Sequence, residues 1–385
     1  MRRLRTIPRR RLYAIAAVVA LLAATGGIAQ AALSGSDQKP TPKPLAAAVL
    51  DSLRAPKLAG VSARVHFTNN LFPAGTLPAG TSSPLAAGAD GRLWLSGDGR
   101  FRIDLRSQAG GEAQIVSDGA RLTIYDGTSN TLYSLPMPQS AHGAGAARFP
   151  LPGIQGGLGE LLRSFTISGA KPSSTAGRPT YTVRIAPRDD GALLGAVEVA
   201  WDADRGVPLR LAVYAQGDSD PTLELKATEV SYGPVRDAQL APTPHPGAHR
   251  VSIDSADLHA GRPTNVTGVD AVQRRLDFPL AAPAEIAGLK RGQVRLLEND
   301  RGKGAVTIYG QGLGSIFVLQ GKQTGDPILD RTKLPLPQVN IDGQTGTELA
   351  TPLGTLVTFE RDGVSYFVGG LVPPVAAENA ARDLR

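Results

Sequence analysis

The sequence predicts a mainly β protein: a curved antiparallel half-barrel with a helical lid, followed by a small C-terminal α+β domain. Three observations lead there. From Gly91 to Pro138, apolar residues alternate with polar ones and the runs are broken by Asp-Gly pairs, which is the signature of an antiparallel meander of hairpins. Gly 45 and Pro 30 suit strands and turns better than helices. After a proline-rich stretch that starts at Asp237, strand signals resume in a separate, smaller unit.

At the N-terminus, Arg2, Arg3, Arg5, Arg9, Arg10 and Arg11 precede an apolar run from Leu12 to Ala24 and the tripeptide Ala29-Gln30-Ala31. This is the pattern of a secretory signal cut after Ala31. Leu12 to Leu33 is also long enough to stay as a membrane anchor. Both readings place the rest of the chain outside the cytoplasm, because positive flanks stay inside. The formal charge is +7, and the six arginines account for all but +1 of it. The basic excess is therefore a targeting feature and no nucleic-acid partner is expected. Cys is 0, so neither a disulfide nor a thiolate metal site is available.

The expected division is 1–33 as signal peptide or anchor and 34–44 as an exposed spacer. The half-barrel domain is 45–254, a linker 255–268, and the small domain 269–385. Pro44 opens a helix carrying Leu45, Val49 and Leu53, which Pro56 ends. Val61, Ala63, Val65 and Phe67 alternate as a strand, and Asn69 to Asp90 reads as a long loop. In the meander, Leu93 and Leu95 alternate with Arg92, Trp94 and Ser96, and Phe101, Ile103 and Leu105 alternate with arginines and Asp104. Ile154, Leu158, Leu161, Leu162 and Phe165 form a helical stripe. Strands follow at Tyr181–Ile185, Gly195–Trp201, Leu209–Tyr214 and Leu223–Val230. That makes about eight or nine strands, and a twisted sheet of that size curls into an open half-barrel. Asp237 to Gly268 reads as a boundary. Beyond it, strands are expected at 293–298, 305–309, 316–320, 339–341, 354–361 and 364–368. A last helix from Pro374 would carry Val375, Ala376, Ala380 and Leu384.

Catalytic signals are missing from this pattern. His245 and His249 are separated by Pro246 and Gly247, which rules out a helical H-x-x-x-H metal pair. Gly312-Leu313-Gly314 lacks the lysine of a phosphate loop, and no G-x-S-x-G elbow occurs. A non-enzymatic protein without metal or cofactor is expected. The chemistry on offer is apolar area, worth about 25 cal/mol per Å² removed from water. Trp94, Phe101, Ile103, Leu105, Ile115, Leu122 and Ile124 are placed near the inner face of the curl. Leu158, Leu162 and Phe165 would come from the covering helix. From the residues alone, this set is either a closed core or the lining of an acyl-chain pocket.

The run VSARVHFTNN, GRLWLSGDGRFRIDL, EAQIVSDGARLTIYDGTSNTLYSLPMP, with GVPLRLAVY and DAQLAPTPHPGAHRV further on, resembles the LolA family of periplasmic lipoprotein carriers. The resemblance implies a half-barrel with a helical lid that binds lipid or the acyl chains of lipoproteins without catalysis. At the place of the family's Arg-Pro pair, after the strand of Trp94, this chain has Ser96-Gly97-Asp98, so the arginine that ties lid to barrel in that family has no match there. The added second unit resembles the two-domain arrangement of RseB-type regulators. GTLVTFERDGVSYFVGGLVPP with AAENAARDL is similar to a C-terminal module of anti-sigma-type membrane proteins. That resemblance implies an alternative role, regulation through a membrane partner.

Overall fold

The structure is a computed structural model and describes residues 39–72, 82–137, 164–188, 191–252, 262–299, 302–322 and 336–384. The predicted signal or anchor lies outside these residues, as does the helical stripe from Ile154 through Leu162. No helix among the described residues is long and apolar enough to cross a membrane.

The N-terminal helix α1 (Leu45–Arg54) follows Pro44 as expected. The first sheet then forms from β1 (Gly60–Asn69), β2 (Ala89–Ser96), β3 (Phe101–Arg106), β4 (Glu112–Ser117), β5 (Arg121–Asp126) and β6 (Thr131–Pro136). It continues with β7 (Phe165–Ile167), β8 (Lys171–Thr175), β9 (Arg178–Pro187), β10 (Leu194–Asp202), β11 (Pro208–Ala215), β12 (Leu223–Tyr232) and β13 (His249–Ser252). The order is β13-β6-β5-β4-β3-β2-β1-β12-β11-β10-β9-β7, with β8 also on β9. Among the described residues the sheet has thirteen strands, against the eight or nine expected. The additional ones are short or polar. Lys171–Thr175 is held to β9 partly by hydroxyls, with Ser173 Oγ 2.8 Å from Thr180 Oγ1 and 2.7 Å from Thr182 Oγ1. Such a strand has no apolar period to betray it.

β1 sits between two meanders, paired with β2 on one side and β12 on the other. A register shift at Arg64/Val65 and a glycine opposite it bend this centre. A Cβ at Gly91 would lie 2.0 Å from the Asp104 carbonyl oxygen, so only glycine permits that approach. The sheet ends in two separate edges, β13 and β7, so it curves without closing. Within the expected Asn69–Asp90 loop, Pro84–Ala87 forms a one-turn helix, α2, against β1, β3 and β4.

The stretch from Asp237 begins as part of this sheet. A short helix α3 (Asp237–Leu240) and an extended strap lead into β13, which pairs with β6 in parallel. A second, nine-stranded sheet contains β14 (Arg262–Thr267), β15 (Glu285–Ile286), β16 (Leu289–Asn299), β17 (Gly302–Tyr309) and β18 (Ile316–Gly321). Its other strands are β19 (Gln338–Ile341), β20 (Gln344–Thr351), β21 (Gly354–Arg361) and β22 (Val364–Gly370). A short helix α4 (Val269–Gln273) packs near β14 and β16, and α5 (Pro374–Arg382) lies on β21 and β22. α5 buries Ala377, Ala380, Ala381 and the following Leu384, whereas Val375, expected on its apolar face, is 61% exposed. The two sheets share no strand pairing, and a backbone hydrogen bond from Leu193 N–H to Leu371 O (2.7 Å) joins their loops.

Candidate functional site

Register turns the sequence alternation into rows. Directly opposed residues in an antiparallel sheet point to the same face. One row runs Ala63–Leu93–Ile103–Ile115–Ile124–Tyr133 across six strands. The next runs Val61–Leu95–Phe101–Ser117–Leu122–Leu135. Phe101, Ile103, Leu105, Ile115, Leu122 and Ile124 thus share the inner face. None is more than 4% exposed, and all belong to one packed cluster with Leu58, Phe67, Val207 and Leu209. Leu85 of α2 packs on that cluster. Each such side chain contributes about 1.5–3 kcal/mol by leaving water. The floor carries apolar or small neutral side chains over six strands, about 24 Å at the usual spacing of about 4.8 Å.

Two predicted lining residues, Trp94 and Phe165, are not part of this floor. Trp94 pairs with Arg102, one position out of phase with Ile103, and so lies on the opposite face. Its own alternation with Leu93 and Leu95 required that. Phe165 is not on a helix but opens β7, half-buried at the far edge of the sheet and paired with Pro187. α1 also covers a different region, packing Ala48 with Tyr181, Val183 and Trp201 on β9 and β10. Leu158 and Leu162 lie outside the described residues.

The outer face of β2–β6, the polar side of the alternation, carries the strap that follows α3. Arg102 is its hub and is only 7% exposed. It donates through Nε and Nη2 to both Asp104 oxygens (2.6 and 2.7 Å), through Nη1 to Ala241 O, and through Nη2 to Thr243 Oγ1 (2.8 Å). Its guanidinium also lies 5.7 Å from the Trp94 ring centroid. Thr243 N–H donates to Gln114 Oε1 (2.8 Å), and Gln114 Nε2 donates to Thr243 O (3.2 Å). His245 N–H donates to the hydroxyl of the fully buried Tyr125 (3.3 Å). His245 Nε2 stands 3.0 Å from Glu112 Oε1 without hydrogen-bond alignment, so that contact is ionic when the imidazole is protonated. Gly127 makes room here, since a Cβ would sit 2.4 Å from Glu112 Cγ. A polar cleft of about 240 Å³ remains between strap and sheet, lined by Arg102, Arg106, Glu112 and His245 among others. The alternation of Arg102 with buried neighbours made it look like a surface residue. The one sequence signal for the strap was the proline spacing of APTPHPG.

Farther along the outer face, Glu198 accepts from Arg184 Nη1 (3.1 Å), Arg210 Nη1 (2.8 Å) and the Tyr214 hydroxyl (2.9 Å). Burial alone would raise its carboxyl, but these three donors outweigh burial and hold it below the usual range. Fully buried Asp202 accepts from Arg178 Nε (2.9 Å) and the Tyr232 hydroxyl (2.5 Å), tying β9, β10 and β12 together. Burial, and then the Asp202 charge, raise the Tyr232 hydroxyl. These carboxylates are engaged by arginines and make a structural lattice. Among the described residues, no group of three His, Cys, Asp or Glu side chains could hold a metal ion.

No family model matches the sequence, and no match is found among curated proteins. Solved structures do show likeness. A crystal structure of MucB in complex with MucA(peri) is similar at 16% identity and a TM-score of 0.44, with 89% of this chain and 96% of that one covered. The MucA/MucB complex of Pseudomonas aeruginosa is similar at 15% identity and a TM-score of 0.43, covering 84% and 91%. A LolA superfamily protein from Nitrosomonas europaea shares 9% identity at a TM-score of 0.22, covering 52% of this chain and 98% of that one.

Proposed function

We propose that this protein is a non-catalytic binding protein of the cell envelope that takes acyl chains of lipids or lipoproteins at the half-buried border of the packed inner face of its first sheet. The observation that carries the reading is the pair of in-register rows through Ile103 and Phe101, apolar or small and neutral across six strands of a curved sheet. Acyl chains need only apolar area, and each buried methylene contributes about 0.8 kcal/mol. Half-buried Leu93, Leu223 and Met137 at the border of the cluster mark where such a chain would enter.

The test is native mass spectrometry of the full chain purified from membrane-containing cells, before and after solvent extraction. Co-purifying lipid, or uptake of an added fluorescent fatty acid after extraction, is the expected result. Leu93→Glu should weaken uptake while Arg100→Gln leaves it unchanged. A protein that carries no lipid and takes up no fatty acid would sink the proposal.

A further inference from the structure

Helix α5 is held on the second sheet by small side chains. Ala377, Ala380 and Ala381 are fully buried against the cluster of Ile341, Val357, Phe359, Tyr366 and Val368. Alanines let the helix approach closely but remove little apolar area each. Polar groups at its margin therefore weigh heavily on whether it stays.

One of them is out of keeping with its surroundings. Strand pairing puts Glu348 in the row Glu348–Val357–Val368–Val318–Thr307, the face that α5 covers. Glu348 is only 8% exposed, and its Oε2 is buried with no hydrogen-bond donor. The side chain beside it is another carboxylate, Glu378 of α5, which is itself held by Arg382 Nη2 at 2.5 Å. Among the described residues, Glu378 is the one charged group that presses on Glu348: β19 carries none, and Val357 faces it from β21. A buried carboxylate beside a second, partly exposed one does not ionise cheaply, whereas one proton between them makes a hydrogen bond.

We infer that Glu348 and Glu378 form a proton-dependent clasp that holds α5 on the second sheet and loosens as pH rises. Burial first, and then Glu378, hold the Glu348 carboxyl above the usual range. A raised carboxyl favours the docked state fully below its ordinary value, and that gain is lost as pH climbs through the raised one. The clasp is independent of lipid binding by the first sheet.

The experiment is hydrogen exchange of the full chain at pH 4 and pH 8, corrected for intrinsic rates, comparing amides of residues 377–384 with those of β3–β5. In the native protein, α5 protection should drop on raising pH, about tenfold for each pH unit separating the ordinary and raised values, while β3–β5 do not follow. In Glu348→Gln, whose amide can donate to Glu378 at any pH, the α5 profile should be flat. Carboxyl carbon shifts of Glu348 in the native protein give a second readout and should report titration above the ordinary range. An α5 profile identical in native and Glu348→Gln protein, or a Glu348 that titrates like an exposed glutamate, would overturn the inference.

Discussion

Replacing Arg102 with alanine tests whether the strap is part of the fold or merely rests on it. Four donor contacts would be lost: two to Asp104 and one each to Ala241 O and Thr243 Oγ1. Removing one partner of a buried ion pair costs about 3–5 kcal/mol. Asp104 keeps a side-chain exposure of 30% and can recover water, which points to the low end. The expected loss is about 3 kcal/mol, a large share of the roughly 5–15 kcal/mol that holds a typical domain. Urea unfolding at matched m-value would measure it. Trp94 fluorescence and tryptic cleavage at Arg236 and Arg250 would report on the strap. Arg102→Lys keeps the charge but not the fork, and should recover only part of the loss. A loss below about 1 kcal/mol, with cleavage unchanged, would refute the reasoning and return Arg102 to the surface role its alternation suggests.

Two further tests concern the first sheet. Ile103→Ala should cost about 2–5 kcal/mol and Ile103→Val about 0.5–1.5, read from urea midpoints of extracted protein, because Ile103 sits in the packed row between Leu93 and Ile115. Values near zero would mean that the floor is open rather than filled. Acid should also destabilise the outer lattice. Glu198 is held below its ordinary value of 4.5, so its contribution is complete above that pH and lost as pH falls through the lowered value. Glu198→Gln should be less stable at pH 7 but show a shallower fall in urea midpoint between pH 5 and pH 3.

The alternation from Gly91 to Pro138 determined five strands and which of their residues share a face, because a period of two is a local property of an extended backbone. It also puts Ile103 and Phe101 on one face and Trp94 on the other, so the phase of the alternation, not apolar character, decides which residues form the floor. Pro44 and Pro374 marked two helix starts by the same local logic. Where β1 inserts between the meanders, which edges stay open, and that Ala241 and Thr243 lie on Arg102 were decided only by the tertiary structure. Those contacts join residues about 140 positions apart, and no local period encodes such a meeting. Glu348 is the same case. In sequence it is one acid in QTGTELAT, and it becomes a buried carboxylate only because β20 pairs with β21 and α5 folds back onto that sheet. The chain's local pattern determines which side of a strand a residue occupies; burial of a charge depends on what distant segment covers that side, and desolvation is a property of the assembled fold.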